Sequence, residues 1–192
     1  SRITSESLNK ARLVAGRIRW RMPSQEAKLV SMPRICPAKF DLVDWVGARQ
    51  FKSELAVQYA LIGSDGIMIA SNVGPANSRV DLSDREHFKI HVGAREDKLF
   101  ISKPVLGRAS GKWSIQLSRM LRNSTGEFAG VLVSSIDPNY LARLYNSIDL
   151  GTDGAIMLVG FDGVIRAHGG EKLDVLGKSI IGSEIFRLFV KE

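Results

Sequence analysis

With 192 residues, 44% of them hydrophobic and 24% charged, the chain has enough apolar material for a core, which excludes a disordered or low-complexity protein. Its apolar runs, of which Gly130 to Ser135 is among the longest, fall far below the roughly 20 residues that a membrane-crossing helix needs. The formal net charge of +7 is concentrated at one end: residues 1 to 39 hold 9 Lys/Arg against Glu6 and Glu26, while residues 40 to 192 hold 18 charges of each sign.

A neutral body behind a basic arm argues against nucleic acid as a partner, since that asks for a basic face with aromatics among the charges on the folded domain. The arm suits anionic lipid head groups, at about 1 kcal/mol per Lys or Arg near the surface, or equally a solvated helix face. From Thr4 to Met22 the stripe Leu8, Ala11, Ala15, Ile18 and Met22 has helical spacing. Pro23 stops or kinks that helix, Ser24 restarts it to about Ser31, and Asp41 caps another from Leu42 to about Leu55. Cys36 has no second cysteine to pair with and is expected to be a spectator thiol.

The domain count comes from a repeat. Ala60-Leu61-Ile62-Gly63-Ser64-Asp65-Gly66-Ile67-Met68-Ile69-Ala70 is matched 97 residues later by Met157-Leu158-Val159-Gly160-Phe161-Asp162-Gly163-Val164-Ile165-Arg166-Ala167. Each copy predicts a hairpin closed by an Asp-Gly turn, followed by a polar loop and a helical stretch ending in Phe88 or Phe186. In the first copy Asp81 to Phe88 predicts a short helix, then strands over Leu99 to Leu106, Lys112 to Leu121 and Glu127 to Ile136 with Gly/Ser/Asn turns between them. Asp137-Pro138 predicts a capped connecting helix over Asn139 to Ile148. The fold class expected is α/β (α+β): a helical arm over 1–55, a first α/β subdomain with an antiparallel central sheet over 56–148, and the start of a second, similar one over 149–192. The second copy lacks the three-strand meander of the first, so the natural chain is expected to continue.

No catalytic pattern emerges. There is no Gly-rich phosphate loop with Lys-Ser/Thr, no nucleophile elbow and no Cys-x-x-Cys. His87 and His91 stand four apart, yet no adjacent motif supplies further metal ligands. Neither an enzyme, a cofactor nor a metal is expected of this segment. Ser83 with Glu86 predicts a capping box, which would set Arg85 in the first helical turn, where the dipole disfavours a cation unless an anion lies beside it. That anion is either a ligand carboxylate or one of Asp81 and Asp84.

The run Asp81-Leu82-Ser83-Asp84-Arg85-Glu86-His87-Phe88 carries a resemblance. With it go Ile101-Ser102-Lys103-Pro104-Val105, Gly111-Lys112-Trp113, Leu117-Ser118-Arg119, Phe128-Ala129-Gly130-Val131 and Ile136-Asp137-Pro138. The series resembles the double Cache domain, a tandem PAS-like sensor of bacterial membrane receptors, and in particular the sensor halves of diguanylate cyclases and some histidine kinases. The resemblance implies a periplasmic portion of an inner-membrane protein, a homodimer held to the membrane by flanking helices absent from this chain, and a small-molecule ligand in the first subdomain. It further implies a site of Arg85, His87, Phe88 and Lys103, with Ser135 where amino-acid binders keep an Asp. That cationic set suits a small organic acid better than an α-amino acid. Arg119 is either a further cation or a strand-edge charge, and Phe100 and Trp113 are either pocket walls or core. The rival expectation is a ligand-free dimerisation module with its pocket packed shut.

Overall fold

The computed structural model describes residues 56–73, 79–147, 155–169 and 175–190, all within the second of two compact units, Arg34–Glu192. The helical expectations before residue 56 lie outside the described residues. Strands β1 (Ala56–Gly63), β2 (Met68–Ser71), β3 (Phe100–Leu106), β4 (Trp113–Arg122) and β5 (Phe128–Ile136) form one antiparallel sheet in the order β2-β1-β5-β4-β3. The meander strands fall within a residue of their expected limits because the joints are true turns. Asn123 Oδ1, for example, accepts from the backbone N–H groups of Thr125 and Glu127, at 3.1 and 2.8 Å, and reverses the chain between β4 and β5.

Register decides which side chains share a face. Gln58, Ala60 and Ile62 of β1 stand opposite Ser135, Val133 and Val131 of β5, which in turn stand opposite Gln116, Ser118 and Met120 of β4. Strand alternation therefore puts these nine residues on one face, and Tyr59, Leu61, Leu117, Leu132 and Ile136, all buried, on the other. The first face is graded. At one end Ala60, Ile62, Val131 and Val133 pack with Met68, Leu82 and Phe88 as a core cluster; at the other lie Gln58, Gln116 and Ser135.

The expected helix over Asp81 to Phe88 shrinks to α1 (Glu86–Lys89), and the capping box does not form. The backbone N–H of Ser83 donates to Asp81 Oδ1 at 2.9 Å, which turns the chain before any helix begins. Arg85 consequently precedes the helix in extended conformation (φ −77°, ψ 140°) instead of sitting in its first turn. The connecting helix α2 (Pro138–Asn146) follows the expected design, Asp137 accepting from the Asn139 N–H at 2.8 Å ahead of Pro138. Leu141 and Tyr145 are its buried residues of greatest apolar bulk.

The repeat recurs bond for bond in the hairpin of β6 (Ile156–Val159) and β7 (Ile165–Gly169) and in α3 (Glu184–Val190). Gly66 N–H donates to Gly63 O (3.0 Å) and Gly66 O accepts from Leu82 N–H (2.9 Å); Gly163 N–H donates to Gly160 O (2.9 Å) and Gly163 O accepts from Ile180 N–H (2.8 Å). Both hairpins slip register at the same step, Leu61/Ile62 and Leu158/Val159. They differ at the helix start. Ser183 Oγ accepts from the Phe186 N–H (3.2 Å) and caps α3, whereas the corresponding residue before α1 is Arg85, which has no acceptor to offer.

Candidate functional site

The polar end of the graded face is not covered by core. Together with the Leu82–His87 segment and the β3–β4 joint it lines a cleft of about 390 Å3 measured out to its open mouth.

Its mouth carries two arginines in different states. Arg108 meets Asp84 bidentately at 2.9 and 3.0 Å and also donates to the Asp81 carbonyl. The Arg108 hydrogen bonds hold the Asp84 carboxyl below the usual range, and those from Ser83 do the same for Asp81, so both carboxylates are engaged. Arg85 donates from Nη2 to the Leu106 carbonyl at 3.0 Å, and among the described residues no carboxylate forms an ion pair with it. Beside it His87 is 6% exposed. Burial foremost, then the Arg85 charge and His91, push its pKa down to about 4, so it is a neutral imidazole near pH 7.

The floor is a neutral hydrogen-bonded set. Ser135 Oγ donates to Gln116 Oε1 (2.7 Å), and Gln116 Nε2 donates to Ser114 Oγ (2.8 Å). Ser71 Oγ gives its only proton to the Val73 carbonyl (2.7 Å), so it must accept from Gln58 Nε2 (2.8 Å). This turns the Gln58 amide so that its carbonyl oxygen is left over. The apolar walls are Ala60, Ile62, Met68, Leu82 and Val133.

Of the residues expected at the site, Arg85, His87 and Ser135 line this cleft; the other five do not. Phe88 is core, edge-on to Phe128 with ring centroids 6.0 Å apart. Phe100 is half-buried on β3 opposite Ser118, beyond the cleft. Trp113 is 55% exposed at the start of β4, paired with the exposed Leu106. Arg119 falls on the opposite sheet face by strand parity and pairs with Asp97 at 3.0 Å. Lys103 sits at a bulge in β3, is exposed, and adds a minor electrostatic contribution to lowering the Asp162 carboxyl, which the Arg166 hydrogen bond chiefly sets. His91 is bonded to Ser118 Oγ at 2.9 Å, and no metal-binding group of three or more His, Cys, Asp or Glu occurs among the described residues. Sequence reasoning passed over Gln58, Gln116 and Arg108. Gln58 carries a signal, being an amide inside the otherwise apolar β1; Gln116, in a strand that also holds Ser114, Ser118 and Arg119, and Arg108, in a turn, carry none.

No protein-family profile and no curated protein matches the chain. Solved structures do. The extracellular domain of rpHK1S-Z16, a protein assigned as a histidine kinase, superposes with a TM-score of 0.63 at 26% identity, over 77% of this chain and 66% of that one. The chain has the fold of a Cache-type extracytoplasmic sensor domain. Two further structures are similar in fold. The ligand-binding domain of Mlp24 with asparagine matches at TM-score 0.60 and 17% identity, over 91% of this chain and 73% of that. The ligand-binding domain of the Pseudomonas fluorescens chemoreceptor CtaA with L-serine matches at 0.52 and 19%, over 66% and 53%. The chain thus spans just under two thirds of the first of these domains and about half of the last. No described helix is long and apolar enough to cross a membrane.

Proposed function

We propose that this Cache-type domain senses a small organic acid in the cleft of its first subdomain, residues 56–148, with Arg85 as the carboxylate clamp. The observation that carries the reading is the state of Arg85: a guanidinium at the mouth of a small cleft with a polar floor, with one backbone carbonyl as partner, while both nearby carboxylates are committed elsewhere. A planar guanidinium presents a fork of donors suited to a carboxylate. The hydrogen-bonding floor of Gln58, Gln116 and Ser135 favours this reading over the rival, a dimerisation module whose pocket is filled by apolar side chains.

The domain then forms the extracytoplasmic part of a membrane receptor, works as a homodimer, is tethered by helices flanking it, and passes its signal to a cytoplasmic output, a diguanylate cyclase being favoured by the motif series. Residues 149–192 begin a second subdomain, in keeping with the bond-for-bond repeat. Ligand occupancy acts by its differential affinity for two signalling states.

A thermal-shift screen of small carboxylates and amino acids on the domain and on Arg85→Ala tests this. A ligand at a hundredfold excess over Kd stabilises by about 2.7 kcal/mol. The expected result is a rise in Tm with a carboxylate that disappears in Arg85→Ala; no rise with any carboxylate would refute the reading.

A further inference from the structure

Resting on the carboxylate reading, we infer the class of acid: a small monocarboxylate bearing a neutral hydroxyl close to its carboxylate, and not the corresponding amino acid or dicarboxylate. Two independent features of the cleft lead there.

The first is charge. The charged side chains lining it are Arg85 and Arg108, and the Arg108 charge is met by Asp84 through two hydrogen bonds. His87 is neutral, and the floor holds only amides and hydroxyls. One cation is therefore left without a described counter-charge, and it matches one carboxylate. Among the described residues, a second carboxylate would be desolvated against Gln58, Gln116 and Ser135 with no cation to meet it, and an ammonium would lie among cations with no uncommitted carboxylate.

The second is the unused hydrogen-bonding capacity of the floor. The Gln58 carbonyl oxygen has no partner among the described residues and is an acceptor. Ser135 Oγ has spent its proton on Gln116 and can only accept further; Gln116 Nε2 has spent one of its two protons on Ser114 and can donate the other. A group that both donates and accepts satisfies this set, and a neutral hydroxyl is the smallest that does. Sites that hydrogen-bond a substrate hydroxyl reject the analogue lacking it, because their own buried polar groups are left unpaired.

Calorimetric titration with lactate, propionate and alanine tests the inference, since the three share a carbon skeleton and differ at C2 by a hydroxyl, a hydrogen and an ammonium. In the unaltered domain lactate is expected to bind at least tenfold tighter than propionate, and alanine not measurably. Gln116→Leu should bring the ratio of lactate to propionate affinity down to about one; Ser135→Ala, a smaller change, should move that ratio the same way if Gln116→Leu does not fold. Propionate binding as tightly as lactate, with both lost in Arg85→Ala, would overturn the hydroxyl inference and leave the carboxylate reading standing. Alanine binding as tightly as lactate would overturn the exclusion of an ammonium. Binding by none of the three nor by any other small carboxylate would overturn both.

Discussion

Arg85 and Arg108 sit at the same mouth, and what separates them is the carboxylate each finds. Asp84 can serve either, and its geometry gives it to Arg108. It follows that Arg108→Ala should release Asp84 to neutralise Arg85 and weaken carboxylate binding about tenfold, or 1.4 kcal/mol, although Arg108 is not itself the clamp. Adding Asp84→Ala in the same chain should restore most of the loss. A double-mutant cycle by calorimetry checks this, and additive losses would contradict it.

His87 makes a separate claim on pH. Its folded pKa of about 4 lies below the ordinary 6.5, so the unfolded chain binds its proton first. Stability from this residue is fully present above pH 6.5 and is lost as pH falls towards 4, by up to about 3 kcal/mol. Urea midpoints across this range should fall more steeply for the unaltered domain than for His87→Gln; parallel profiles would show that His87 is not buried as described. His91, lowered chiefly by burial, leaves a residual slope in both.

At the scale of elements, each Asp-Gly turn is pinned to the segment that follows it. Gly66 has φ +81° and Gly163 φ +73°, and an added Cβ would lie 2.4 Å from the Ser83 Cβ in one and 2.8 Å from the Ile181 Cβ in the other. The left-handed backbone alone costs a non-glycine residue about 1–2 kcal/mol, and the contact adds to it. Gly66→Ala and Gly163→Ala should each lower the melting temperature, Gly66→Ala also loosening the cleft because Ser83 and Arg85 belong to the segment it displaces. Unchanged melting in either would contradict the close approach.

These elements were legible because their determinants are local. The Asp-Gly hairpins, the meander turns and the Asp137-Pro138 helix start are each set by side chains within a few residues of the bond they make. The Leu82–His87 segment departs from the expected helix for the converse reason: the Ser83 N–H goes back to Asp81, and Asp84 is taken by an arginine 24 residues on. Lys103 lies away from the cleft because of a bulge that leaves no mark in strand alternation. There Ser102 Oγ accepts from the Gln116 N–H at 2.9 Å and donates to the Lys103 carbonyl at 2.6 Å, standing in for ladder bonds. Arg85, His87 and Ser135, expected at the site from motif position, line the cleft, whereas the amide floor depends on register between strands far apart in sequence.

Across the molecule, that bulge is also where the two hairpin units meet. Arg166 of β7, largely buried, pairs with Asp162 at 2.8 Å and sends Nε to the Ser102 carbonyl at 3.1 Å and Nη2 towards the Ile101 carbonyl. Ser102 in turn bonds the strand that carries Gln116, so one chain of contacts runs from the second hairpin to the floor of the cleft. Arg166→Met should cost about 2 kcal/mol, the loss expected for hydrogen bonds to a charged group. Hydrogen exchange should show protection falling first in β6 and β7 while β1 and β5 keep theirs; a uniform fall would contradict a local joint.

The central claim is that Arg85 holds a carboxylate in this cleft, and a crystal structure of the domain grown with lactate tests it most directly. The account predicts density between the sheet and the Leu82–His87 segment, with the carboxylate on the Arg85 guanidinium and the hydroxyl within reach of Gln58 and Gln116. Lactate bound with its carboxylate away from Arg85, or an empty cleft at saturating lactate, would contradict it.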